Sequence, residues 1–128
     1  MNPSTADHRK NDPTILKIMR YSKRWDFGAV LVLNIYAFRS SRPENLPQVM
    51  SEAVGRLNDW WIRTMFQFAM RKGIPVICAW GVKHKERGAR VREVADETGL
   101  QLMCLEVALN GEPKHPRFLS EGLNPRPL

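Results

Sequence analysis

Asn34 closes an otherwise apolar stretch, AVLVLNIY, and its amide offers both donor and acceptor groups. Such an edge can read a planar ligand. It can equally be a structural amide that ties down the next loop, since a buried amide must find partners. Arg39, five residues on, is a fork suited to a phosphate, or an ordinary surface arginine. Trp80-Gly81 ends a second apolar stretch, where Gly81 permits close approach of backbone or ligand, or simply makes a turn. His115 stands beside Lys114 and before Pro116-Arg117. Flanking cations disfavour its protonated form and leave a neutral imidazole able to donate; the alternative is a solvated loop histidine. The chain opens MNPSTAD, which sets Asn2 and Ser4 in a loop of the kind that carries function when a strand supports it.

Several chemistries find no support. There is no Gly-rich phosphate loop and no Gly-x-Ser-x-Gly elbow, and His8, His84, His115 and the two cysteines lack a metal-ligand spacing. Asp7 and Asp12 can pair on a metal across a loop, but helix capping suffices for Asp12. No cofactor is expected. No apolar run approaches the ~20 residues of a membrane span, and the first twelve residues lack the apolar region of a secretory signal. Cys78 and Cys104 lie inside apolar runs, as buried reduced thiols of a cytosolic protein do; a disulfide or reactive role is the lesser alternative.

The net charge of +7 and a sequence pI of about 9.9 are compatible with a polyanionic partner, most simply a nucleic acid or nucleotide. Basic residues are dispersed and become dense only from Lys83 to Arg92. Lys83, Lys85 and Arg87 are therefore the expected phosphate-facing rim, against the alternative of a merely solvated surface.

These groups need a scaffold, and 128 residues with 43% hydrophobic content make one domain over 1–128. Asp12-Pro13 starts a helix carrying Ile15, Ile18, Met19 and Trp25. The run 29–36 is apolar and β-branched, as a strand buried on both faces is. A helix is expected over 58–72 with a stripe of Trp61, Met65 and Phe68 and a C-cap at Gly73. Trp60-Trp61 reads as core packing rather than base stacking. A strand over 74–80, a helix over 86–98 ending at Gly99 and a strand over 100–107 follow. The Pro-rich tail, 120–128 included, reads as irregular. Alternating helices and strands imply an α/β layer structure whose strands at 29–36, 74–80 and 100–107 are parallel neighbours. Ligands of such sheets bind beyond the strands' carboxyl ends.

The combination MNPSTAD, DPT, a strand ending in Asn34 with Ala-x-Arg after it, AWG and PKHPRFL resembles the bacterial and phage family of unknown function numbered 1643, from Met1 to about Leu119. The order of the pieces is also similar to the uracil-DNA glycosylase superfamily. That resemblance implies a three-layer αβα sandwich with a mainly parallel central sheet, here lacking the first strand that normally precedes the Asn-Pro loop. It implies that Asn2 orients a water, Asn34 reads a base edge and His115 stabilises the departing base anion. Ser4, Arg39, Trp80 and Gly81 would join the substrate site. Arg117 stands where those enzymes usually carry Ser, and only Tyr36 or Phe38 is at hand for stacking on a base. Three readings follow: a glycosylase-like domain acting on a nucleobase, a non-catalytic nucleic-acid or nucleotide-binding module, or a small-molecule hydrolase or transferase using the same loops.

Overall fold

The computed structural model describes residues 12–36 and 57–128. Asn2, Ser4 and Arg39 lie outside the described residues. The three helices form where their local signals place them. In α1 (Pro13–Arg24) the Asp12 carboxylate accepts from the Thr14 and Ile15 amides at 2.7 and 3.3 Å, and Pro13 takes the first helical position. Helix α2 (Asn58–Lys72) ends on Gly73 at φ 67°, and α3 (Lys85–Thr98) on Gly99 at φ 76°, a left-handed conformation that suits glycine.

Helix α2 packs on α3, but its inner face is offset from the expected one. Ile62, Phe66 and Ala69 are buried, while Trp60 and Trp61 are 54% and 52% exposed and Phe68 is exposed too. The two indoles lie edge to face, 4.7 Å apart, on the outside of the helix rather than in the core. On α3, Val91, Val94 and Ala95 face inward as the spacing predicts.

The sheet has three two-residue strands in the order β1 (Ile77–Cys78), β2 (Met103–Cys104), β3 (Arg126–Pro127). β1 and β2 run parallel, with Ile77 opposite Met103 and Cys78 opposite Cys104. β2 and β3 are antiparallel, and so is the isolated bridge from Val107 to Pro113. This overturns the three-layer sandwich with a mainly parallel sheet: the protein is a small mixed α/β fold with an open sheet. The run 29–36 forms no strand among the described residues. Val30, Leu31 and Leu33 are exposed, and only Ile35 and Tyr36 reach the core. Apolar, β-branched composition signals burial, and pairing further requires a sheet edge in register.

The place on the sheet goes instead to the tail expected to be irregular. Arg126–Pro127 pairs with β2, and the Leu128 amide donates to the Leu102 carbonyl at 3.0 Å. Helix α1 secures the same segment. The Lys17 ammonium donates to the Leu119 carbonyl, the Tyr21 hydroxyl to Ser120 and the Arg24 guanidinium to Leu123, while Arg20 pairs with Glu121. Tyr21, Leu105 and Leu119 form a small core beneath these contacts, separate from the main one around Phe66, Trp80 and Val94. No helix among the described residues is long and apolar enough to cross a membrane.

Candidate functional site

The site grows from a hairpin. Asn110-Gly111 makes its turn, with Gly111 at φ 84° and the Asn110 side chain accepting from the Glu112 amide at 3.1 Å. The Ala108 amide donates to the Glu112 carbonyl and the Lys114 amide to the Glu106 carbonyl, at 2.9 and 2.8 Å. The Gly81 amide, just past β1, donates to the Pro113 carbonyl at 3.0 Å and ties the hairpin to the end of the strand. Gly81 has φ 86°, and a side chain there would meet the Cβ of His115 at 3.7 Å. The Trp80-Gly81 and His115-Pro116 motifs therefore meet directly.

His115 is held in one protonation pattern. Its Nδ1 accepts from the Arg117 amide at 3.2 Å, capping a short 3₁₀ turn over Pro116–Phe118. With Nδ1 as acceptor, the neutral ring carries its proton on Nε2. Burial pushes its pKa below the ordinary histidine value; Arg117 acts in the same direction and Asp12 against it. His84 is shifted downward too, by burial first and then by neighbouring positive charge that includes Lys83. Its Nδ1 lies 3.3 Å from the Tyr36 hydroxyl, with the two rings edge to face at 5.3 Å.

These shifts carry a pH consequence. Unfolded, each histidine titrates near 6.5; folded, each holds its proton less tightly. The unfolded chain thus binds more protons between the two values. Stability from this source is complete above about pH 6.5 and is lost as pH falls through the lowered folded values. Tm should drop between about pH 7.5 and about pH 5.5, and His84→Asn with His115→Asn should flatten that drop. A Tm that rises toward acid would contradict the assignment.

Asn34 is held through its backbone. Its carbonyl and that of Ile35 accept from the Asn58 side chain at 3.2 and 3.0 Å, which anchors the end of the run 29–36 to the start of α2. Arg87 adds a third anchor, donating to the Ile35 carbonyl at 2.6 Å. Arg87 is 3% exposed and does not belong to a basic rim. Its guanidinium is drawn inward by Asp59, with Nη2 and Oδ1 2.6 Å apart, although neither of those atoms makes an aligned hydrogen bond. Asp59 also pairs with Arg90 at 3.1 Å. Lys83 and Lys85 are exposed on either side of His84.

Asn34, Trp80 and Pro116 share the wall of one cavity of about 300 Å³, which extends between α1, the run 29–35, α2 and β1. Of the expected site residues, Trp80, Gly81 and His115 thus adjoin, and Asn34 shares the cavity wall with Trp80, whereas Gly81 and His115 do not line it. Trp80 is buried, and its indole N–H donates to Glu112 rather than outward. Glu112, Arg92, Asn58 and Gly88, which shape the site, escape sequence reasoning. Glu112 sits in a polar turn that gives no hint of burial.

Among the described residues, no group of three or more His, Cys, Asp or Glu side chains is placed to hold a metal ion. The matched cysteines Cys78 and Cys104 are free and buried, and burial pushes the Cys78 thiol up to about 12, far from a reactive thiolate. No curated protein and no solved structure matches the chain, and nothing in these comparisons supports a relationship to the uracil-DNA glycosylases. One family model covers residues 1–117, nearly the whole chain. On that match the chain belongs to the family described as protein of unknown function, DUF1643.

Proposed function

We propose that this domain acts on a nucleobase, cleaving its N-glycosidic bond in a nucleic acid or nucleotide. The observation that carries the reading is His115: a neutral imidazole, protonated on Nε2, fixed by the Arg117 amide, on a residue whose Cβ adjoins Gly81 just past β1. In the reaction water adds to C1′ of the sugar, the base leaves with the bonding electrons, and the proton given up by the water passes through solvent to the departed base. Positive charge develops on the sugar and negative charge on the base. A preorganised neutral donor aimed at that anion contributes about 3 kcal/mol. In this reading Asn2 orients the water, the Asn34 amide reads the base edge, and Ser4 and Arg39 complete the substrate loops. A base must leave its stack to be reached, which calls for a recess such as the one beside Asn34 and Trp80.

The second reading is a binding module without chemistry. It is favoured by the way the Trp80 indole is spent on an internal partner, Glu112. Both readings require phosphate contacts, and Lys83 and Lys85, exposed just past Gly81, are the cations expected to make them. Affinity for duplex DNA should fall steeply with salt, and Lys83→Gln with Lys85→Gln should flatten the log–log slope by about 1.8, at ~0.9 per lost contact. Arg87→Gln should leave that slope unchanged, since the side chain is buried. An unchanged slope in the double lysine variant would assign these residues to a solvated surface. The enzyme reading itself is tested by incubating the protein with modified-base oligonucleotides and scoring abasic sites.

A further inference from the structure

Glu112 is a carboxylate in a surface hairpin, yet it is 1% exposed. Both contacts of its carboxylate join the hairpin to something else. Oε2 accepts from the Trp80 indole at 2.7 Å, at the end of β1. Oε1 accepts from Arg92 of α3 at 2.9 Å, and the same guanidinium donates to the Gly111 carbonyl at 2.8 Å. Arg92 also lies over the Trp80 ring, 5.6 Å from its centroid. Helix α3 can come this close because residue 88 is glycine: a Cβ there would stand 2.7 Å from the Trp80 Nε1 and 2.9 Å from Glu112 Oε2. A carboxylate buried among unpaired partners would be strongly unfavourable, so all three groups are committed to one arrangement.

We infer that Glu112 is the positioning residue of the His115 loop: through Trp80 and Arg92 it locks the 106–114 hairpin to β1 and α3 and so holds His115 beside Gly81. The chain of connection is short. Glu112 is followed by Pro113, whose carbonyl takes the Gly81 amide, then by Lys114 and His115. Turning Glu112 loose frees the hairpin on the side that faces Trp80. His115 then no longer keeps one distance to Gly81 or one alignment with the Arg117 amide. The purpose of this device rests on the chemistry proposed for His115; the positioning itself does not.

The test is nitrogen NMR of the histidine rings in the labelled full-length chain. In the wild type His115 should show one neutral tautomer, Nδ1 bare and Nε2 protonated. In Glu112→Ala its two ring nitrogens should move toward the average of the two tautomers. Glu112→Gln should fall between the two, because its side-chain oxygen still accepts from the Trp80 indole while its amide nitrogen cannot accept from Arg92. Should Glu112→Ala fail to fold, Trp80→Phe removes the donor while keeping a ring in place, and should loosen His115 in the same way. An unaltered His115 tautomer in whichever of Glu112→Ala and Trp80→Phe folds, even with a lowered Tm, would overturn the inference and leave Glu112 a stabilising residue alone. So would a Glu112→Gln chain that behaves like Glu112→Ala. If the ring nitrogens respond but no substrate loses its base, the positioning stands and the base-processing reading falls.

Discussion

His115→Ala should lower the base-release rate by about 10²-fold or more, the usual effect of removing one preorganised anion donor. Alanine also deletes the side-chain cap of the 3₁₀ turn at Pro116–Phe118, so a drop in rate alone would mix chemistry with folding. His115→Asn separates the two. The asparagine oxygen can accept from the Arg117 amide as Nδ1 does now, which keeps the turn, but nothing replaces the Nε2 donor. Tm should therefore stay near the wild-type value in His115→Asn while the rate falls as far as in His115→Ala. Asn34→Ala should act differently, weakening discrimination between two bases more than it slows the release of either. Equal loss of rate and stability in both His115 variants would make the histidine a capping residue only.

Gly88→Ala should destabilise the domain, and here the expectation reverses the ordinary rule. Gly88 lies inside α3, where alanine is normally better by about 1 kcal/mol. The added methyl would stand 2.7 and 2.8 Å from the Trp80 indole and 2.9 Å from the Glu112 carboxylate, both buried. Neither can yield without breaking the indole–carboxylate hydrogen bond. Overpacking of this kind costs about 1–3 kcal/mol. For a chain of this size that corresponds to a fall in Tm of roughly 5–10 °C by thermal unfolding. A Tm equal to or above wild type would show that α3 moves aside freely, and the packing around Glu112 would lose its argument.

What the sequence discloses and what it hides divide along physical lines. Helix ends are local events, and Asp12-Pro13, Gly73 and Gly99 act where they stand. Strand pairing is not local. The run 29–36 has the composition of a buried strand, yet it pairs with none of the described strands, while Arg126–Pro127, in a Pro-rich stretch, does. The tail is ordered by partners on α1 at the far end of the chain, which no window of sequence can show. On α2, a one-residue shift separates Trp61, which is exposed, from Ile62, which is buried. Apolar spacing fixes a helix's period better than its rotation when large aromatics lie on adjacent positions. The motifs AWG and PKHP come together because a hairpin carries the second back onto the end of the strand carrying the first. Their residue types were informative, but their partners were not: Arg87 reads as a surface cation until Asp59 is seen beside it.

The central claim is that His115 serves base release, and one measurement addresses it most directly. The full-length protein is incubated with oligonucleotides that each carry one modified or mismatched base, and abasic sites are counted by strand cleavage in alkali. Abasic sites are expected in at least one substrate with the wild type and about 10²-fold fewer with His115→Asn at equal occupancy. Oligonucleotides that stay intact across the whole panel while bound equally well by both proteins would contradict it.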